Sequence, residues 1–312
     1  MKSQALALHL GVLGVLLVLQ FVLPSYHHTN FTSIMVLATF AIGYNILIGY
    51  TGLLSLGHAM FFAAGIYAAG LSVHYFGVDP LSAFVLGTLA GLVLAIAVGL
   101  IALRTSGVSF MIVTLMFAQA CFLLILYFND ITRGDEGIVL TEVERQIGAV
   151  SLVNSTLRYN LALALFAIAA LSCLALVRSR FGRILVAIRE NEARTRMLGY
   201  NTFLYKLFAM GLSGVLAGAA GALYALMFGY IGATFASIEY SILVLLWVLL
   251  GGSGTVLGPL VGALLMFYLV EWTGDVTESY RIVVGVALVL LTLFFPKGIL
   301  GTLRARSLRW LP

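Results

Sequence analysis

The chain has 312 residues, of which 62% are hydrophobic and only 9% are charged, against roughly 45–50% and about 25% in an ordinary soluble domain. With so little polar surface it cannot wrap a core in a solvated shell, which excludes a water-soluble globule and leaves one polytopic membrane domain over residues 1–312. The formal charge of +5 is gathered into two clusters that are not interleaved with aromatics, so it points away from nucleic acid.

A spanning helix needs about 20 mostly apolar residues, since the hydrocarbon core is about 30 Å thick and each residue rises 1.5 Å. Windows of that kind lie near 5–23, 31–50, 56–76, 81–103, 108–128, 159–177, 207–228, 239–251, 258–270 and 281–296, which predicts an all-α protein of about ten transmembrane helices. The first run is too long for the apolar region of a signal peptide, and Leu23-Pro24-Ser25-Tyr26 offers no small-x-small cleavage site, so it counts as a span.

The segment Gly43 to Gly70 reads GYNILIGYTGLLSLGHAMFFAAGIYAAG and carries Asn45, Thr51, Ser55 and His58 in an apolar context. Buried polar groups are costly in a membrane unless paired, so these residues are candidates either for helix contacts or for lining a pathway. His58 has no carboxylate at i±3 or i±4, which favours a structural histidine over a metal or proton relay. Cys121 and Cys173 lie in separate apolar runs without Cys or His at ligand spacing, so neither a disulfide nor a zinc site is expected. The loop 129–158 is acidic, with Asp130, Asp135, Glu136, Glu142 and Glu144 against Arg133, Arg145 and Arg158.

Residues 178–206 are the opposite, with seven basic residues against Glu190 and Glu192. Within FGRILVAIRENEARTRMLGYN, residues Ile184, Leu185 and Ile188 form an apolar face. Asn191 is placed to cap a second helix with Glu192 in its first turn, Arg194 and Arg196 later and Gly199 just past its end. A basic loop against anionic lipid headgroups needs only charge; defined caps and a mixed-sign surface argue for a protein partner. Further on, Gly211, Gly214, Gly218 and Gly221 share one helix face, the pattern of close helix packing.

Glu239 stands at the outer end of a span, either as an interfacial acid or as part of a pathway. Gly251-Gly252-Ser253-Gly254 and Gly258-Pro259 then interrupt 239–270, which either holds two short helices meeting at a turn or re-enters the membrane. The tail 297–312 adds Lys297, Arg304, Arg306 and Arg309 with no acid. Alternation from Lys2 inside puts 178–206 and the tail inside and the acidic 129–158 and 271–280 loops outside, so both termini are expected in the cytoplasm. No internal repeat is legible, although ten spans divide into two sets of five that would be inverted. No Ser/His/Asp set, catalytic carboxylate pair, Cys/His cluster or phosphate loop is visible, which leaves catalysis no residues to run on.

Five ordered blocks, GYNILIGYTGLLSLGHAMFFAAGIYAAG, TRGDEGI, FGRILVAIRENEARTRMLGYN, GLSGVLAGAAGALYA and LLGGSGTVLGPLVGA, resemble the LivM-type permease of branched-chain amino acid ABC importers. The resemblance implies a type II importer-like permease in a bacterial inner membrane, working by alternating access. Its implied partners are a second homologous permease subunit, two cytoplasmic ATPase subunits that bind the ATP, and an extracytoplasmic solute-binding protein. It makes 178–206 the coupling loop, with Arg189, Glu190, Asn191, Glu192, Arg196 and Gly199 as the ATPase contact. Glu192-Ala193 and Gly199 stand where that signature has Glu-Ala-Ala and Gly, with Arg194 in place of the second Ala and the Gly one residue further on. Asn45, Ser55, His58 and Glu239 remain the candidates for a pathway, and no cofactor or metal is implied. Branched-chain amino acids lead as solute, with urea and short amides as the other class. An ion-coupled secondary transporter is the rival reading, and it requires a carboxylate near mid-membrane where the sequence places none.

Overall fold

The structure, a computed structural model, describes residues 2–147, 150–276, 285–286, 289, 293–294 and 297–306. All of 277–284 and most of the expected span 281–296, together with 307–312 of the tail, lie outside them. Among the described residues, seven helices are long and apolar enough to cross a membrane. They comprise α1 (Lys2–Val22), α2 (Ser25–Asn45, prolonged to Thr51 by a π-helix over Ile46–Thr51), α3 (Ala59–Phe76), α4 (Pro80–Ala102), α5 (Val108–Tyr127), α7 (Ser155–Arg178) and α10 (Thr202–Phe228). Polar residues at the breaks in hydropathy start several of them. Asp79 accepts from the Leu81 amide just ahead of α4, Asn154 from Thr156 and Leu157 at α7, and Asn201 from Leu204 at α10.

The glycine face of α10 meets α4 and α3. A methyl group added at Gly214 would lie 2.6 Å from the Gly91 carbonyl, and one at Gly218 would lie 2.9 Å from Gly91 Cα; Gly221 abuts the Phe62 carbonyl of α3. Backbones approach this closely only where side chains are absent, which is the packing that the spacing predicts. Ser213 adds a 2.7 Å bond to the Gly43 carbonyl of α2.

One end of the bundle is acidic and the other basic. At the acidic end the loop after α5 forms the one-turn helix α6 (Asn129–Thr132) and three two-residue strands, β1 (Ile138–Val139), β2 (Gln146–Ile147) and β3 (Val150–Ser151). β2 pairs with β3, while β1 pairs antiparallel with β4 (Tyr230–Ile231), which follows α10. These bridges are the only non-helical regular structure among the described residues, and they tie the loop to the end of α10. His74 and Glu144 add a 2.8 Å contact. Burial pushes the Glu144 carboxyl up, but the Thr141 hydroxyl and amide together with His74 outweigh it and hold the group below its ordinary range.

Two helices start half-way through the bundle. After Thr51 the chain leaves helical geometry and climbs back beside α2, so that the His58 ring stacks on Phe40 with centroids 5.1 Å apart. Phe40 lies about 22 Å from one end of the 27-residue span Ser25–Thr51 and about 16 Å from the other. α3 therefore begins at mid-depth and runs to the acidic end. α11 (Ile238–Gly251) begins at the same depth and runs the other way: Tyr240 stacks on Phe62 at 5.6 Å, and Ser241 Oγ accepts from the Ala59 amide at 3.0 Å. Its 14 residues rise about 21 Å, short of the roughly 30 Å core. α12 (Gly258–Val276) then returns toward the acidic end, where Asn30 donates to Glu271 at 2.9 Å.

Irregular backbone at this depth is tolerated only when protein satisfies it. Along 52–58, Tyr44 donates to the Ser55 carbonyl at 2.7 Å, Thr114 Oγ1 accepts from the Leu56 amide at 3.2 Å, and Ser55 Oγ accepts from Gly57 at 3.3 Å. Two opposed half-way starts meeting at one level are the geometry that inverted halves produce.

Candidate functional site

The basic segment folds as two short helices, α8 (Arg180–Glu190) and α9 (Glu192–Met197). Ser179 Oγ caps α8 through the Gly182 amide at 3.0 Å, and Leu185 and Ile188 turn inward as the apolar face requires. Asn191 Oδ1 accepts from the Arg194 amide at 2.9 Å, and Gly199 takes the left-handed conformation (φ +88°) that closes the turn. Glu192 then faces back onto α10. Its carboxylate lies 2.8 Å from Lys206 Nζ, accepts from Thr202 Oγ1 at 2.9 Å and from Arg196 Nη2 at 3.2 Å. Burial pushes Glu192 up, but the bonds from Lys206 and Thr202 and the charges of Lys206 and Arg196 outweigh it and hold the carboxyl below its usual range.

With Glu192 turned inward, the outer surface of α9 belongs to other residues. Met197 and Leu198 are 83% and 71% exposed at its tip, beside the exposed Arg194 and Arg196. Two large apolar side chains exposed side by side outside the spans form a candidate contact surface. The sequence reading named the charged residues here and passed over these two, although an apolar pair just before a helix-closing glycine is visible in the letters.

Arg189 at the end of α8 reaches the π-helix while remaining partly exposed. Its stem packs over Gly52 and its guanidinium donates to the Gly49 carbonyl in the π-helix. Asn45, one turn earlier, accepts from the Gly254 amide and donates to the Thr255 carbonyl, each at 2.9 Å. Arg304, from the helix Ile299–Arg306, donates to the Gly254 carbonyl at 3.0 Å. A methyl at Gly49 would fall 2.5 Å from the Gly254 nitrogen, so the two turns touch backbone to backbone. One junction thus joins the π-helix, the α11–α12 turn, α8 and the C-terminal helix. Sequence spacing marked Asn45 and the glycine-rich turn separately but held no sign that they meet.

Of the four pathway candidates, Asn45, Ser55 and His58 are fully covered by protein, His58 between the rings of Phe40, Tyr44 and Phe61. Glu239 alone is exposed. Expected at the outer end of a span, it lies instead in the first turn of α11, adjacent to Tyr240 and at the depth of Phe40. That placement corrects the expectation that every acid sits in a loop or at a span end. Among the coupling candidates, Arg189, Glu190, Asn191, Arg196 and Gly199 are exposed, while Glu192 is half-buried.

The family described as the permease component of branched-chain amino acid transport systems matches residues 28–293. The high-affinity branched-chain amino acid transport system permease protein LivM of Salmonella typhimurium is 30% identical over 295 residues, covering 88% of this chain and 69% of that protein. LivM of Escherichia coli is 29% identical over the same shares. The ribose import permease protein RbsC of Haemophilus influenzae is 31% identical over 129 residues, 39% of either chain. No solved structure matches.

Proposed function

This chain belongs to the permease-component family of branched-chain amino acid transport systems, a multi-pass membrane transport component and not an enzyme, and on that premise we propose that it imports branched-chain amino acids by ATP-driven alternating access. The observation that carries the reading is the capped α8–α9 segment, which is fastened at two points and offers an apolar tip. On one side Arg189 holds the junction of the broken spans; on the other Glu192 holds the start of α10. A push on Met197 and Leu198 by an ATPase subunit would reach both at once, and the discontinuous helices are the elements a switch between outward and inward states would move. The basic end is cytoplasmic in this reading and the acidic loops meet a solute-binding protein. The pore forms between two permease subunits, with ATP bound by two separate ATPase subunits.

The test is to separate coupling from assembly. Thr195 donates its amide to the Asn191 carbonyl at 3.1 Å, so Thr195→Pro removes an intrahelical bond and costs about 3 kcal/mol of helix stability. Ala193→Pro, in the first turn where the amide has no helical partner, is milder. Thr195→Pro and Met197→Asp/Leu198→Asp should leave membrane abundance and docking of the binding protein normal while abolishing solute-stimulated ATP hydrolysis. Normal coupling in both would reduce the segment to a basic loop held against lipid.

A further inference from the structure

A carboxylate half-way across a membrane needs a reason that a loop acid does not. Glu239 precedes Tyr240, whose ring lies 5.6 Å from Phe62 and 6.1 Å from Phe40, and it stands two residues before Ser241, the acceptor for the Ala59 amide. At that level either headgroup layer is about 15 Å away, beyond the reach of a glutamate side chain. Yet the side chain is exposed on the isolated chain, and among the described residues no Lys, Arg or His pairs with it. Ionisable groups at this depth face water-filled cavities or the bundle interior and not lipid.

The surroundings suit a charge that stays available. The N-terminus of α11 favours a negative group in its first turn, and Ser237 Oγ already caps the Tyr240 amide at 3.2 Å, leaving the Glu239 carboxylate free of that duty. Ile242, one turn along on the same side, is 41% exposed. The ring of Tyr240, the residue after Glu239, belongs to an aromatic cluster in which Phe235 meets it edge-on at 5.3 Å and meets Tyr224 at 5.2 Å. Aromatic faces accept both an apolar side chain and the flank of a cation.

Resting on the importer reading above, we propose that Glu239 lines the translocation path at mid-membrane and receives the protonated amine of the solute there, with Phe235 and Tyr240 against its apolar part. The solute class is then a small amine-bearing molecule with an apolar portion, and neutral amides and sugars would lack the group that Glu239 holds.

The reporter is Ile242→Cys in the full complex with its co-expressed subunits, Cys121 and Cys173 having been replaced by Ala. A cationic and an anionic methanethiosulfonate reagent of equal size should both reach it, the cation faster by about tenfold after correction for intrinsic reactivity, and Glu239→Gln should abolish that preference. Butylammonium should slow the reaction and butyrate should not. Equal rates with Glu239 present would overturn the proposal by showing the charge neutralised within the assembly. Silence at position 242 while a cysteine at Glu142 labels would overturn it by showing the face sealed. Equal protection by butylammonium and butyrate would overturn amine recognition. Co-purification of the ATPase subunits and ATP-driven uptake, scored on the parent complex, report on the importer reading separately.

Discussion

Glu192 is held by three groups, and that makes its ionisation a condition for seating α9. Its folded-state value lies below the ordinary 4.5, so its contribution is complete above the ordinary carboxylate range and is lost as pH falls through the lower folded value. Amide exchange protection in α9 should therefore hold steady from neutral pH down to about pH 5 and collapse below the folded value. Glu192→Gln should reproduce the collapse at neutral pH, because Lys206 is then left buried without its counter-charge, at a cost of about 1–3 kcal/mol. Arg196→Gln should change little, within about 0.5 kcal/mol, since that ion pair faces solvent. The sequence disclosed Glu192 as a first-turn acid. It could not disclose Lys206 as the partner, because the pairing depends on the chain doubling back between α9 and α10. Met197 and Leu198 escaped for a different reason: hydropathy says that a residue is apolar, and only the packed neighbours say that nothing covers it.

At the scale of elements, the start of α9 and the glycine face were legible because each rests on local chemistry: Asn191 caps where the letters place it. The face itself makes a graded prediction. A methyl at Gly214 would meet the Gly91 carbonyl at 2.6 Å, a backbone atom that cannot turn aside, whereas at Gly211 the nearest atom is a Leu92 methyl at 3.3 Å on a flexible side chain. Gly214→Ala should lower the unfolding temperature of the detergent-solubilised protein by several degrees, and Gly211→Ala should leave it nearly unchanged. The half-way starts of α3 and α11 were not legible. A sliding window averages over the irregular stretch 52–58 because its residues are as apolar as the helix it interrupts. The hydrogen bonds that make it tolerable come from Tyr44 on α2, across the turn, and from Thr114 on α5, far from it in the chain. For the same reason the window read Glu239 as the outer edge of a span.

For the whole molecule, the separation of basic and acidic ends makes the proposed orientation testable. With α8 and α9 in the cytoplasm, a cysteine at Arg194 should be shielded from an impermeant thiol reagent in intact cells, and one at Glu142 in the opposite loop should be labelled. Labelling at Arg194 from outside would invert the assignment. The energy source needs a separate argument, because the structure places a carboxylate half-way along the bundle, the position an ion-coupled carrier would use. Glu239 stands alone there among the described residues: no second acid, histidine or lysine is bonded to it to form a relay. A coupling site must bind and release its ion in step with a conformational change, whereas the Arg189 contact beneath the broken spans connects that change to α8, the segment proposed to meet the ATPase. Uptake in cells whose proton and sodium gradients are collapsed while ATP is maintained should therefore continue at the parental rate. The Glu239→Gln variant should show the same insensitivity at its own lower rate. Should uptake instead stop with the gradients, the carboxylate at mid-depth is the ion site of a secondary transporter, and the fastening of α8 and α9 to the spans has another purpose.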